Sequence, residues 1–260
     1  MSIVPELQDF VQSAIQSENN NNYTAIPCIV VNVRNNGNDQ MVDIQPTINQ
    51  MFKDGTVKER PVILGVPVSF PVSDKAGMTF PINPGSTTGM AVFSMRSMDA
   101  WKAGNGRPSA PLNFSKMDKS DAVFFPGIQP PGMAVNNPAK HVHPHNTSDL
   151  VVFQNLGGVE SEVRLKADGS IEVNTSSQAV TINCSDANIN ASGAINLDSA
   201  SMTIDCPNTS WVGNINLTGN IVQSGNYTMN GVATFNSIPF STHKHVGVSA
   251  GSATSGGPTA

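Results

Sequence analysis

The chain has 260 residues, with 14 Lys and Arg against 19 Asp and Glu, for a formal net charge of −5. No basic cluster is present to neutralise phosphates, which excludes nucleic-acid binding, and no run of about 18 apolar residues reads as a membrane span. Charged residues make up only 13%, about half the usual share of roughly 25%; Asn, Ser, Thr and Gly replace them, a composition of turn-rich β structure.

The N-terminus lacks the basic start and apolar stretch of a signal peptide, so the expectation is a soluble chain made in a cytoplasm. The first predicted element is a helix over residues 1–20. Ile3, Val4, Leu7, Phe10, Val11, Ala14 and Ile15 form one apolar stripe at helical spacing, Ser2 can cap it and Pro5 lies in its first turn. The stripe needs a partner, either the next domain or the same helix of another subunit.

Residues 21–135 read as a small barrel. Strands are expected over 25–33, over 41–46 with period-two alternation, over 61–70 and over 89–94, with a last apolar run at Val123-Phe124-Phe125. Five short strands with polar loops suit an oligonucleotide/oligosaccharide-binding (OB) type barrel, or a sandwich of similar pattern. Residues 136–157 are rich in Pro and Asn and read as a linker. They contain His141, His143 and His145, for which a surface or inter-subunit role is expected over metal binding, because Pro144 interrupts any strand ladder.

From residue 158 to 240 short apolar pairs recur every six to ten residues. They include Val163/Leu165, Ile171/Val173, Val180/Ile182, Ile195/Leu197, Met202/Ile204 and Ile215/Leu217, with Asn, Ser, Asp and Gly between. Each pair puts two side chains on one face of a strand, the pattern of a β-helix. One chain supplies only about four coils of roughly twenty residues with open ends. Three intertwined chains share every inward face and pair their edges, so a homotrimer is the more economical arrangement. Cys184 and Cys206, at matching places in this repeat, read as small buried hydrophobes or as a disulfide.

Residues 241–260 contain His243 and His245. Two apart on an extended strand, they face one side, and three chains would gather six imidazoles on the axis. Octahedral nitrogen suits iron, nickel or cobalt better than structural zinc. The plainer reading is two histidines in an exposed tail.

Thr242-His243-Lys244-His245-Val246-Gly247-Val248 and the closing Thr254-Ser255-Gly256-Gly257-Pro258 resemble the apex of the membrane-piercing central spikes of contractile-tailed phages and related injection particles. Ser120-Asp121-Ala122-Val123-Phe124-Phe125-Pro126-Gly127 resembles the end of that family's barrel domain. The resemblance implies a homotrimeric needle at the tip of the tail baseplate, attached by its barrels to tail-tube or baseplate hub proteins. One iron ion per trimer would be held by His243 and His245 of each chain, and sheath contraction would drive the point through the host outer membrane.

The chain is accordingly expected to be no enzyme. A glycan or peptidoglycan hydrolase needs two carboxylates across a cleft, and Glu160, Glu162 and Glu172 lie on short strands without long loops. An adhesin for surface sugars would want clustered aromatics, whereas Trp101 and Trp211 are far apart in sequence.

Overall fold

The computed structural model describes residues 4–35, 40–52, 54–239 and 251. The chain divides into two compact units, Met1–Ser185 and Asp186–Ala260. The first opens with helix α1 (Val4–Asn21), whose Leu7, Phe10, Val11 and Ile15 are all exposed. These four members of the predicted stripe are thus left uncovered by the described residues.

A five-stranded sheet follows, built from β1 (Ala25–Asn35), β2 (Gln40–Pro46), β5 (Ile63–Pro67), β6 (Thr88–Phe93) and β7 (Ala122–Pro126). Its order is β5-β2-β1-β6-β7, with every neighbouring pair antiparallel. The two-residue strands β3 (Gln50–Met51) and β4 (Val57–Lys58) form a separate hairpin. Helix α2 (Asp99–Ala103) is a single short segment that the sequence does not announce.

Two irregularities curl the sheet. In β1, Ile26, Cys28 and Val30 face the core, and the register against β2 then slips between Val30 and Asn32. The extra residue, Val31, is a β-bulge, and beyond it the core-facing parity changes to Val33. The second slip lies between β2 and β5, where Val42 pairs Val66 and Ile44 pairs Ile63. Gly65 absorbs it at φ 64°, a left-handed conformation that a residue with a Cβ adopts at a cost. The Gly65 N–H is held by the buried Asp43 carboxylate at 2.9 Å.

Curling brings the sheet's edges together. Val68, just past β5, bridges Phe124 in parallel, and the Ser69 N–H donates to the Phe124 carbonyl at 2.8 Å. The core lies inside, with Val30, Val42, Ile44, Val66, Ala91 and Phe124 essentially free of solvent. Gly89 allows β6 and β7 to approach closely, because a Cβ there would stand 2.3 Å from the Phe125 carbonyl oxygen and 2.7 Å from the Phe124 ring.

Residues 136–157, expected to be a linker, carry a 3-10 turn (Pro138–Lys140) and strand β8 (Leu150–Gln154). With β9 (Ser161–Leu165) and β10 (Ile171–Thr175), β8 forms a three-stranded antiparallel sheet of order β10-β9-β8. The pairs Val163/Leu165 and Ile171/Val173 thus sit in strands.

From Ser176 to residue 233 the described residues form neither helix nor strand, and from Ser177 to Val232 every one is exposed. The apolar pairs from Val180 to Tyr227/Met229 lie there, exposed and outside any strand. Cys184 and Cys206 are free and exposed, which corrects both the buried and the disulfide expectations within one chain. Trp211 is exposed as well. A tight hairpin, β11 (Thr234–Phe235) to β12 (Ile238–Pro239), turns through Asn236 and Ser237 at positive φ.

Candidate functional site

The small sheet β8–β10 carries the unusual chemistry. Alternation sorts its residues onto two faces. On one lie Leu150 and Val152 of β8, Val163 and Leu165 of β9, and Ile171 and Val173 of β10, paired across the strands in register. All six are exposed, from 41% at Val163 to 69% at Ile171. On the other lie Phe153, Glu162, Arg164, Glu172 and Asn174. There the charged residues Glu162 and Arg164 are buried.

The ordinary arrangement is thus inverted: the apolar face meets water and the ionic face is covered. Scattered apolar residues on a surface need no explanation, but a contiguous apolar face marks an interaction surface.

What covers the ionic face is the stretch 135–149. His141 is buried, correcting the surface role expected of it. Its Nδ1 lies 2.6 Å from Glu160 Oε1 and its Nε2 lies 2.8 Å from the Val135 carbonyl oxygen. Each ring nitrogen thus faces an oxygen atom. Glu160 also accepts from the Val142 N–H at 2.9 Å and the Gly157 N–H at 3.2 Å. Burial alone would raise the Glu160 carboxyl; these two N–H donors and the His141 ring outweigh it and hold the group below its ordinary value.

His145 stands edge-on to His141, with ring centroids 4.5 Å apart, and Phe153 packs on His141 from β8 at 4.8 Å. His143 contributes its main-chain carbonyl, which accepts from Arg164 Nη2 at 2.8 Å, and its ring lies near Ser176 Oγ. Arg164 also pairs with Glu162 Oε1 and lies 3.6 Å from Glu172. Glu172 takes Lys166 at 3.0 Å. Three buried atoms of this cluster have no hydrogen-bond partner: His145 Nδ1, Glu162 Oε2 and Arg164 Nε.

The three carboxylates weighed as hydrolase candidates are therefore committed to pairs inside the chain: Glu160 to His141, Glu162 to Arg164 and Glu172 to Lys166. Sequence reading missed the cluster because its central contact joins residues 141 and 160 across a Pro- and Asn-rich stretch. The alternation of His141, His143 and His145 was the one available signal. The apex residues His243 and His245 lie outside the described residues. No helix among the described residues is long and apolar enough to cross a membrane.

Comparison with known proteins agrees with the spike resemblance at its N-terminal part. No curated protein matches the chain. Residues 26–127, less than half of the chain, match the family model described as the phage protein Gp138 N-terminal domain. The matched stretch takes in the five-stranded sheet from Ile26 to Pro126, and the chain is thus similar there to a phage protein domain and fits a phage baseplate or spike protein.

Proposed function

We propose that this chain is the central puncturing spike of a contractile tail, a homotrimer that does mechanical work and breaks no bonds. The observation that carries the reading is the stretch from Ser176 to residue 233. It holds recurring apolar pairs, forms no strand or helix and buries none of them. Extended backbone of that length has donors and acceptors that must pair somewhere. Apolar pairs two residues apart ask for a shared interior. Three copies wound about one axis satisfy both demands at once and leave no free sheet edge.

In this reading the five-stranded sheet, with its edges linked through Val68 and Phe124, is an OB-type barrel; its strand order and parallel closure support that assignment. The exposed apolar face of β8–β10 packs against the same face of the other two chains, and the barrels attach to hub proteins of the tail. Contraction of the sheath pushes the assembly through the outer membrane of the host, so the protein would be a virion component at the baseplate tip.

We take iron at the apex from what the spike resemblance implies. The donor set fits, since imidazoles at alternate positions of three chains offer six nitrogens. His243 and His245 of each chain would hold the ion, which would cross-link the three chain ends against fraying.

Light scattering and metal analysis of the full chain test the proposal together. Three chains per particle with one iron per three chains is the expected result, and replacing His243 and His245 with Ala should remove the iron and leave the particle intact. A monodisperse monomer would overturn the needle. A metal-free trimer would overturn only the apex.

A further inference from the structure

We propose that the ionic side of the β8–β10 sheet is a metal site of its own, holding a divalent transition-metal ion on His145 Nδ1, Glu162 Oε2 and a ring nitrogen of His141. The ligand atoms of these three residues lie within 4.8 Å of one another. Two of them, His145 Nδ1 and Glu162 Oε2, are buried and have no hydrogen-bond partner. The Glu162 side chain is fully buried, and its other oxygen is already taken by Arg164. A buried carboxylate oxygen and a buried imidazole nitrogen, each without a hydrogen-bond partner, are costly to leave unsatisfied, and a cation bound by both would satisfy them.

The surroundings of His141 add an independent reason. A histidine that binds a metal commonly donates its other N–H to a carboxylate, which fixes the ring and raises its basicity. Glu160 stands in that relation to His141 Nδ1, and two backbone N–H groups pin Glu160 in place. This leaves Nε2 as the ligand. It now lies 2.8 Å from the Val135 carbonyl oxygen, a contact that binding gives up. The ion adds positive charge to a cluster that already holds the carboxylates of Glu160, Glu162 and Glu172.

Two imidazoles and one carboxylate suit zinc, cobalt, nickel or iron, and not the hard cations calcium and magnesium. A cavity of about 330 Å³, lined by Pro144, His145, Asp149 and Arg164 among others, reaches one of the three ligands, His145. All three ligands come from one chain within Met1–Ser185, so the site is independent of the apex and of the number of chains in the particle.

Cobalt(II) is the probe, because its visible spectrum reports nitrogen and oxygen ligation. The full-length chain carrying His243→Ala and His245→Ala, stripped with chelator and dialysed against cobalt(II), should bind one ion per chain. His145→Ala on that background should abolish binding. Glu160→Gln keeps all three ligands and should weaken binding about 10- to 100-fold, which a purely structural histidine cluster would not show. If the apex variant is insoluble, uptake by the parent with and without His145→Ala carries the same decision. No cobalt bound, or equal uptake in the His145→Ala chain, overturns the site.

Discussion

The five-stranded sheet and the stretch from Ser176 to residue 233 are built from similar residues and end in opposite states. In the sheet, Val30, Val42 and Ile44 are fully buried and each strand finds its neighbours within about a hundred residues of chain. In the later stretch Ile182, Ile189 and Leu197 are more than 70% exposed, with no strand neighbour. Alternation alone therefore does not make a core. What differs is the set of partners, which the first region carries within itself and the second does not.

Mutation separates the two most sharply. Phe124→Ala should cost about 3–5 kcal/mol, the range for a fully buried aromatic, with a large drop in the urea midpoint at any protein concentration. Ile195→Ala in a lone chain should stay within about 0.5 kcal/mol, as for an exposed site. Under the trimer proposal it should instead cost a few kcal/mol and depend on chain concentration. A negligible effect at every concentration would remove the shared interior.

Gly89→Ala is the next largest test. The new Cβ would meet backbone oxygen and a packed ring, neither of which can swing aside, so a loss of about 1–3 kcal/mol or more is expected by thermal unfolding. Gly132→Ala, where a Cβ meets nothing within 4 Å, is the matching control.

Acid should act on the first region. Burial would raise the Asp43 carboxyl, but hydrogen bonds from Asn32 and the Gly65 N–H, with Arg34 alongside, bring it below its ordinary value; Glu160 behaves likewise. A carboxyl depressed in the folded state contributes stability that is present above its unfolded pKa of about 4 and is lost as pH falls through the folded value. Stability should thus decline below about pH 4, and Asp43→Asn should flatten the decline. An unchanged acid profile in that variant would rule out the assignment.

The smallest effect is a count of reactive thiols. Burial pushes the Cys28 thiol up to about 11, so it should not react with a disulfide reagent at pH 8 in any native form. Cys184 shares parity with Val180 and Ile182, and Cys206 with Met202 and Ile204. Both should react in a dissociated chain and be shielded in an assembled needle. Rapid reaction of both in the intact particle would place that face outward.

The strands of the large sheet were legible because β1, β2, β5, β6 and β7 each combine β-branched residues with a turn at either end. Its bulges at Val31 and Gly65 were not, since a bulge is a property of pairing and not of one strand. The hairpin β3–β4 has two-residue strands, too short to show alternation. The His141 cluster escaped for a different reason: linker-like composition in 136–149 says nothing of a carboxylate 19 positions away. In the later stretch the apolar pairs were plain in the sequence, and the trimer proposal assigns their partners to other copies of the chain.

Unpaired backbone between Ser176 and residue 233 also bears on kinetics. The large sheet closes on itself, so its formation is first order in chain and indifferent to dilution. Under the trimer proposal the later segment acquires its structure by encounter with other chains, at a rate that rises with how many are nearby. Synthesis of several copies from one messenger would shorten that wait, and dilution would lengthen it while leaving the five-stranded sheet already formed.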